Sequence, residues 1–328
     1  MGRDRRTDAT RAELLVKLLP SDAKVSKRRL PVPWLLPAAR ILLPPLALLL
    51  LAHRLGTQAF RPALGVVAPV PLLGALVFGG LAVAAQAARW RVVMRGVGLS
   101  LGRREALAEC YRSSALNAVL PGGVAGDVLR AWRQRTGAVR GWEPGAVSVL
   151  AERAAGLCVL LAVASVVLAV EATPVSAIAA AVAAGVAWTV TRPALRRLTI
   201  RQRAAVWAWS VVALGALLAL TAVVAVAIPV HVSPGVLATL GLLLLAGMAV
   251  PVNLGGWGPR EAAAALAAVL VGAPPAVGVA VAAGYGLLAT VSVVPGFVVL
   301  VTATSSTVRR HAGQVEVDAH VLTEEKAA

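Results

Sequence analysis

The hydrophobic pattern of this chain is one of long unbroken runs. Leu64–Ala88, Ala154–Val170, Ala204–Ile228, Gly235–Val250 and Ala276–Ala303 carry no charged residue. A helix crosses a bilayer core of roughly 30 Å with about 20 mostly apolar residues. Strands of a membrane barrel would alternate polar and apolar positions over about ten residues, whereas these runs are continuous and rich in Ala, Leu and Val. The pattern predicts an all-α, polytopic membrane helix bundle. Spans are expected at about 34–52, 64–88, 145–170, up to about 190, 204–228, 235–250 and 276–303. Pro69 and Pro71 interrupt the second, and Arg40 in the first can snorkel to the head groups. Residues 1–33 read as a basic cytosolic tail, with Leu14, Leu15, Leu18 and Leu19 at helical spacing. No signal peptide is expected there, because about 30 mostly polar residues precede the first apolar run. The membrane domain is placed at 34–304, and 305–328 form a polar tail.

Two segments break the scheme. Ala106–Leu120 contains Glu109, Arg112 and Asn117 and runs into Pro121-Gly122-Gly123. Arg260–Val271 follows Pro251 and Gly255-Gly256 and is closed by Pro274-Pro275. Both are too short to cross comfortably, and irregular backbone at membrane depth is tolerated only inside protein or beside a wet cavity. The expected architecture is therefore about seven or eight spanning helices with one or two Gly/Pro-broken half-helices. The two breaks share a Pro, a Gly pair, a further Gly, an acid and an Arg. Breaks at corresponding positions of two halves point to a transporter's binding site, although the spacing within these two differs.

Composition agrees with the pattern. Hydrophobic residues make up 59% and charged residues 14%, against roughly 25% charged in soluble domains. The net charge of +17 invites a nucleic-acid reading, but its distribution argues against one. Ten Lys/Arg lie between Arg3 and Arg40, six between Arg89 and Arg112 and five between Arg192 and Arg203, while Glu171–Pro174 and Pro229–Pro234 carry none. That alternation keeps basic loops on the cytoplasmic side and places the N-terminus there. The same loops suit anionic lipid head groups. Cys110 and Cys158 are too few for a disulfide framework, and the four His are scattered without ligand spacing. No metal and no cofactor are expected.

The candidate chemistry lies at the breaks. Glycines let backbone N–H groups approach a ligand, a following helix presents free donors and a positive dipole end, and Arg130 or Arg260 adds a fork suited to phosphate. Asp127, Glu152 and Glu261 would balance those charges or gate a path. The competing reading is architectural, with Asp127 a first-turn acid, Arg130, Arg133 and Arg135 interface anchors, and Glu152-Arg153 an ion pair that orients helices. Arg153 joining Arg130 and Arg260 around one polar cavity is the functional alternative. Ser113-Ser114 has no His base nearby in sequence.

Three motifs appear in order: Asn117-x-x-x-Pro121-Gly122-x-x-x-Gly126-Asp127-x-x-Arg130, then Glu152-Arg153, then Pro251-x-x-x-Gly255-Gly256-x-Gly258-x-Arg260-Glu261. In these the chain resembles the flippase-like transmembrane domain of lysylphosphatidylglycerol synthases and its stand-alone homologues. The resemblance implies movement of a lipid or lipid-linked precursor, a membrane phospholipid or polyprenyl-phosphate-linked lipid, between leaflets of the cytoplasmic membrane. It does not carry over the synthase reaction, which belongs to a separate soluble domain, so no enzyme is expected. The binding set implied is Asn117, Gly122, Gly126, Asp127, Arg130, Glu152, Arg153, Gly255, Gly256, Gly258, Arg260 and Glu261. A non-transporting accessory protein of a lipid or envelope-glycan pathway is the alternative, and a membrane-embedded transferase a further one.

Overall fold

The computed structural model describes residues 60–302 except 97, 121–122, 134–142 and 251–256, together with 53 and 58. The expected first span at 34–52 and both tails lie outside the described residues. A 3-10 helix, Arg61–Val66, leads into α1 (Pro69–Gly96). There follow α2 (Arg103–Val119), α3 (Ala125–Arg133), α4 (Glu143–Glu171), α5 (Pro174–Arg196), α6 (Ile200–Ala227), α7 (Pro234–Met248), α8 (Pro259–Leu270) and α9 (Pro275–Ser292), after which helix resumes to residue 302. The chain is a polytopic, all-α membrane bundle, and five of its helices are long and apolar enough to cross a bilayer among the described residues.

The helix ends follow local chemistry. Pro69 does not interrupt a span. It starts one, because proline fits the first helical turn and not the interior; α1 accordingly runs eight residues past the expected end, through Arg89 and Trp90 to Gly96. The fourth span likewise continues past 190 and accommodates Pro193 near its end. Thr199 caps α6 reciprocally with Gln202: the Gln202 N–H donates to Thr199 Oγ1 at 3.3 Å, and the Thr199 N–H donates to Gln202 Oε1 at 2.9 Å. Ser233 caps α7 in one direction only, its Oγ accepting the Val236 N–H.

The sixth expected span is a shorter helix in the structure. α7 has 15 residues, about 22 Å at 1.5 Å per residue, which falls short of the hydrocarbon core. It pairs instead with α8, and Gly247 of α7 sits so close that a Cβ would lie 2.6 Å from the Pro259 carbonyl oxygen. α2 and α3 pair likewise, the Gly126 position resting on the Ser113 backbone. Both segments flagged as too short to cross are therefore helices in broken hairpins.

Small residues set the distances between helices. Membrane helices gain little from hydrophobic burial against apolar lipid, so close backbone approach carries the packing. α1 and α6 run antiparallel at the centre: Gly65 lies beside the Ala227 carbonyl, Gly74 beside Val223, and Arg89 reaches Ser210. Gly278 of α9 rests on the Ala264 backbone of α8. Ala75, Leu220, Leu240, Leu244, Ala264, Ala280 and Leu288 fill the interior. Val70, Val166, Val170, Ile200 and Val226 point outward, as lipid-facing residues do.

Gly278→Val is expected to reduce stability by about 1–3 kcal/mol through overpacking. Gly185→Ala, where a new Cβ meets nothing within 4 Å, is expected to stabilise by about 0.5–1 kcal/mol. Thermal retention of the monodisperse size-exclusion peak in detergent checks both.

Candidate functional site at the first helix break

α3 is amphipathic in the inverted sense. Gly126, Asp127, Arg130 and Ala131 are buried, while Val124, Val128 and Trp132 are exposed. The spacing puts charge toward the bundle and apolar side chains outward, an arrangement suited to a helix wrapped by lipid and unsuited to water. Its partner faces are α2 and α4.

Glu152 is the hub. It is fully buried on α4 and takes Arg89 of α1 on Oε1, where Nε donates at 3.0 Å, and Arg130 of α3 on Oε2 at 3.0 Å. Arg89 also donates to Ser210 Oγ of α6 at 2.9 Å. Gly156, one turn along α4, leaves the room: a Cβ there would lie 2.9 Å from the Arg89 guanidinium. Arg130 lies over the Trp90 ring, 4.5 Å from its centroid, and donates to Cys110 Sγ at 3.1 Å. The Trp90 indole N–H in turn donates to Ser148 Oγ. Such a cage is what a charge at membrane depth requires, because leaving one partner unpaired costs several kcal/mol.

Asp127 is the second acceptor. Its carboxylate receives the Ser113 hydroxyl at 2.8 Å, the Asn117 amide at 3.1 Å and Arg153 at 2.8 Å, with Arg130 at 3.3 Å. Asn117 completes the joint by accepting the Gly126 N–H on Oδ1 at 2.8 Å, so both ends of its amide are used. These bonds fasten the first turn of α3 to the last turns of α2. On the same two helices, Glu109 pairs with Arg112 and Arg133.

Counted together, five arginines (Arg89, Arg112, Arg130, Arg133 and Arg153) face three carboxylates. The buried members are matched by carboxylates. The cationic surplus lies with the side chains nearest the surface, Arg153 at 46% exposed and Arg133 at 36%.

The second break holds its own pair. Gly258 adopts φ +94°, a left-handed conformation that glycine supplies, and Pro259 opens α8 as expected for a proline at the first position. Glu261 accepts the Gly258 N–H at 2.6 Å and pairs with Arg260. Arg260 lies over the Trp257 ring at 4.3 Å, and Gly286 of α9 leaves space for its guanidinium.

The structure thus brings together Asn117, Gly126, Asp127, Arg130, Glu152 and Arg153. It gathers Gly258, Arg260 and Glu261 separately, and no ion pair or hydrogen bond joins the two groups among the described residues. Arg130 and Arg153 belong to the first group and Arg260 to the second. Gly122, Gly255 and Gly256 lie outside the described residues. Sequence reasoning missed Arg89 and Ser113. Arg89 closes an apolar run, where an interface anchor and a buried partner look alike, and the Ser113 hydroxyl carries no sequence signal that marks it as a hydrogen-bond donor to Asp127.

Glu152→Gln keeps the shape but leaves Arg89 and Arg130 without their shared counter-charge, and is expected to cost about 3–5 kcal/mol. Arg153→Ala removes a half-exposed pair and should cost about 1 kcal/mol or less. Thermal midpoints in detergent separate the two, and equal midpoints would remove Glu152 from its role as hub.

No curated protein matches the chain. The family described as the lysylphosphatidylglycerol synthase TM region matches residues 34–205, which includes the first break and Glu152-Arg153 and stops before the second break. That match covers more than half of the chain, and the protein belongs to the lysylphosphatidylglycerol synthase transmembrane-region family.

Proposed function

We propose that this membrane protein moves a lipid or lipid-linked precursor between leaflets of the cytoplasmic membrane, and that it does so without enzymatic chemistry of its own. Membership of a lipid-related membrane family supports the setting. The carrying observation is the cationic surplus at the first break, with Arg153 half-exposed beside an outward apolar face of Val124, Val128 and Trp132. An anionic head group has a guanidinium to meet at that edge, and its acyl chains have a hydrocarbon-facing helix to lie along. Arginine suits phosphate because its planar fork bonds two oxygens together.

The substrate class is a phospholipid or a polyprenyl-phosphate-linked lipid. Arg153 is the contact residue. Asp127 holds it while no ligand is present, and Arg130, Arg89 and Glu152 form the rigid backing. The N-terminal tail faces the cytosol in this reading, and the basic connectors near Arg95 and Arg192–Arg203 rest on anionic head groups of the same leaflet.

One observation favours an accessory role. Glu152, Asp127 and Glu261 are already paired inside the protein, and such pairs also serve as pure architecture.

Native mass spectrometry of the detergent-purified protein decides between them. Wild type is expected to retain a discrete anionic lipid, and Arg153→Ala to lose it by roughly 10–100-fold, the equivalent of one charge-assisted hydrogen-bonded contact of about 1.5–3 kcal/mol. Arg153→Lys should restore part of it. Arg153 is the informative position because removing Arg130 would leave Glu152 and Asp127 short of a partner. Retention indifferent to Arg153 would favour the accessory role.

A further inference from the structure

The helix lengths repeat. α1 and α6 each have 28 residues, and so do the crossing segments Pro144–Glu171 and Pro275–Thr302. Each second member begins 131 residues after the first: Pro69 and Ile200, Pro144 and Pro275. The first helices of the broken hairpins keep the same register, α2 beginning at Arg103 and α7 at Pro234, while the second helices are offset by three residues more, beginning at Ala125 and Pro259. Their second helices, α3 and α8, each carry an acid at the third position, Asp127 and Glu261. In both halves a glycine on the long helix after the hairpin leaves space for a guanidinium, Gly156 for Arg89 and Gly286 for Arg260.

The packing repeats as well. α1 contacts α9, and α6 contacts α4. The start of α7 meets the end of α4, where Gly235 lies against the Glu171 carboxylate. The same pair of helices meets in the other half, further along: Gly296, on the helix that continues from α9, lies against Tyr111 in the middle of α2.

Chain direction is inverted between the halves. α1 and α6 are antiparallel, since Gly65 meets Ala227 at one end and Gly96 meets Leu198 at the other. The reason is connectivity. α4 brings the chain back to the face where α1 began, and the single crossing of α5 delivers it to the opposite face before the second half starts. One face then holds the α1–α2 and α5–α6 connections, and the other holds the α4–α5, α6–α7 and α8–α9 connections. Basic residues sort with this assignment. Arg95, Arg103, Arg104, Arg196, Arg197, Arg201 and Arg203 belong to the first face. The connectors Glu171–Pro174, Ile228–Pro234 and Val271–Pro275 on the second carry no Lys or Arg, and Arg61 before α1 is the exception.

We infer that residues 69–171 and 200–302 are two copies of one unit inserted in opposite directions, so that the α2–α3 hairpin enters from the basic face and the α7–α8 hairpin from the opposite face. Inverted repeats with discontinuous helices give a carrier two equivalent entrances, one per side. Resting on the translocase reading above, each hairpin is the entrance for a lipid head group from one leaflet. The α2–α3 entrance is edged by Arg153, and the α7–α8 entrance leads toward Arg260.

Single cysteines test the inversion without any transport assay. With a membrane-impermeant thiol reagent on cells and on inverted vesicles, Ser100→Cys and Thr199→Cys are expected to label from one side only, and Ser233→Cys and Ala273→Cys from the other side only. The wild type, with Cys110 and Cys158, sets the background. Labelling of Ser233→Cys from the same side as Ser100→Cys overturns the inverted repeat. In proteoliposomes, coupling a bulky maleimide to Ala273→Cys at the hairpin mouth should slow leaflet exchange of a fluorescent phosphatidylglycerol at least tenfold. The same modification at Val175→Cys, on that face but outside the hairpin, should leave exchange unchanged. Exchange indifferent to the Ala273 block overturns the second entrance. If the unmodified protein exchanges no lipid, the translocase reading and both entrances fall, while the labelling pattern still decides the inverted repeat.

Discussion

Everything near the first break depends on one buried carboxylate. Glu152 has no contact with solvent and holds two arginines from two other helices, with a hydroxyl from a fourth helix on the far side of Arg89. A carboxylate in that position is tolerable only when its charge is matched at close range. The match fixes the relative positions of α1, α3, α4 and α6 more narrowly than apolar packing between alanine-rich surfaces does, because apolar surfaces slide at little cost and buried, hydrogen-bonded ion pairs do not. The same constraint explains the small residues around it: Gly156 and Gly126 exist where a guanidinium and a backbone must come close.

That rigid centre has a softer edge. Asp127 is tied to α2 by Ser113 and Asn117, yet its strongest cationic partner, Arg153, is half-exposed. A phosphate group, like the Asp127 carboxylate, offers a guanidinium two acceptor oxygens. In the proposed function, exchange of one acceptor for the other would leave the Glu152 hub intact and let a packed network take part in recognition without unfolding the bundle. The outward stripe of Val124, Val128 and Trp132 lays an apolar face along this edge, the side from which the proposed lipid would enter.

The second half solves the same problem with different residues. Arg260 and Glu261 are adjacent on one helix and close their charge locally, where Arg89, Arg130 and Glu152 close theirs across three helices. The copy that crosses helices is the more constrained, and its surplus positive charge is where the two halves differ chemically.

The sequence by itself determined the bundle, most of its spans and the importance of both breaks. Apolar runs longer than a bilayer is thick, with prolines and glycines at their ends, leave few alternatives. It also marked Asp127, Arg130, Glu152 and Arg153, because ionisable residues beside such runs are costly and stand out. It could not show that Pro69 begins a helix, that Gly235–Val250 is half of a hairpin, or that Arg89 belongs with Glu152. Those depend on which helices touch, and a side chain at the end of an apolar run faces lipid or protein according to the neighbour that folding supplies. The two similar breaks pointed to two halves, but the common register of their helices was hidden. Lipid-compatible helices conserve their length and their breaks while their individual apolar residues interchange freely, so the repeat is written in geometry and only faintly in residue identity.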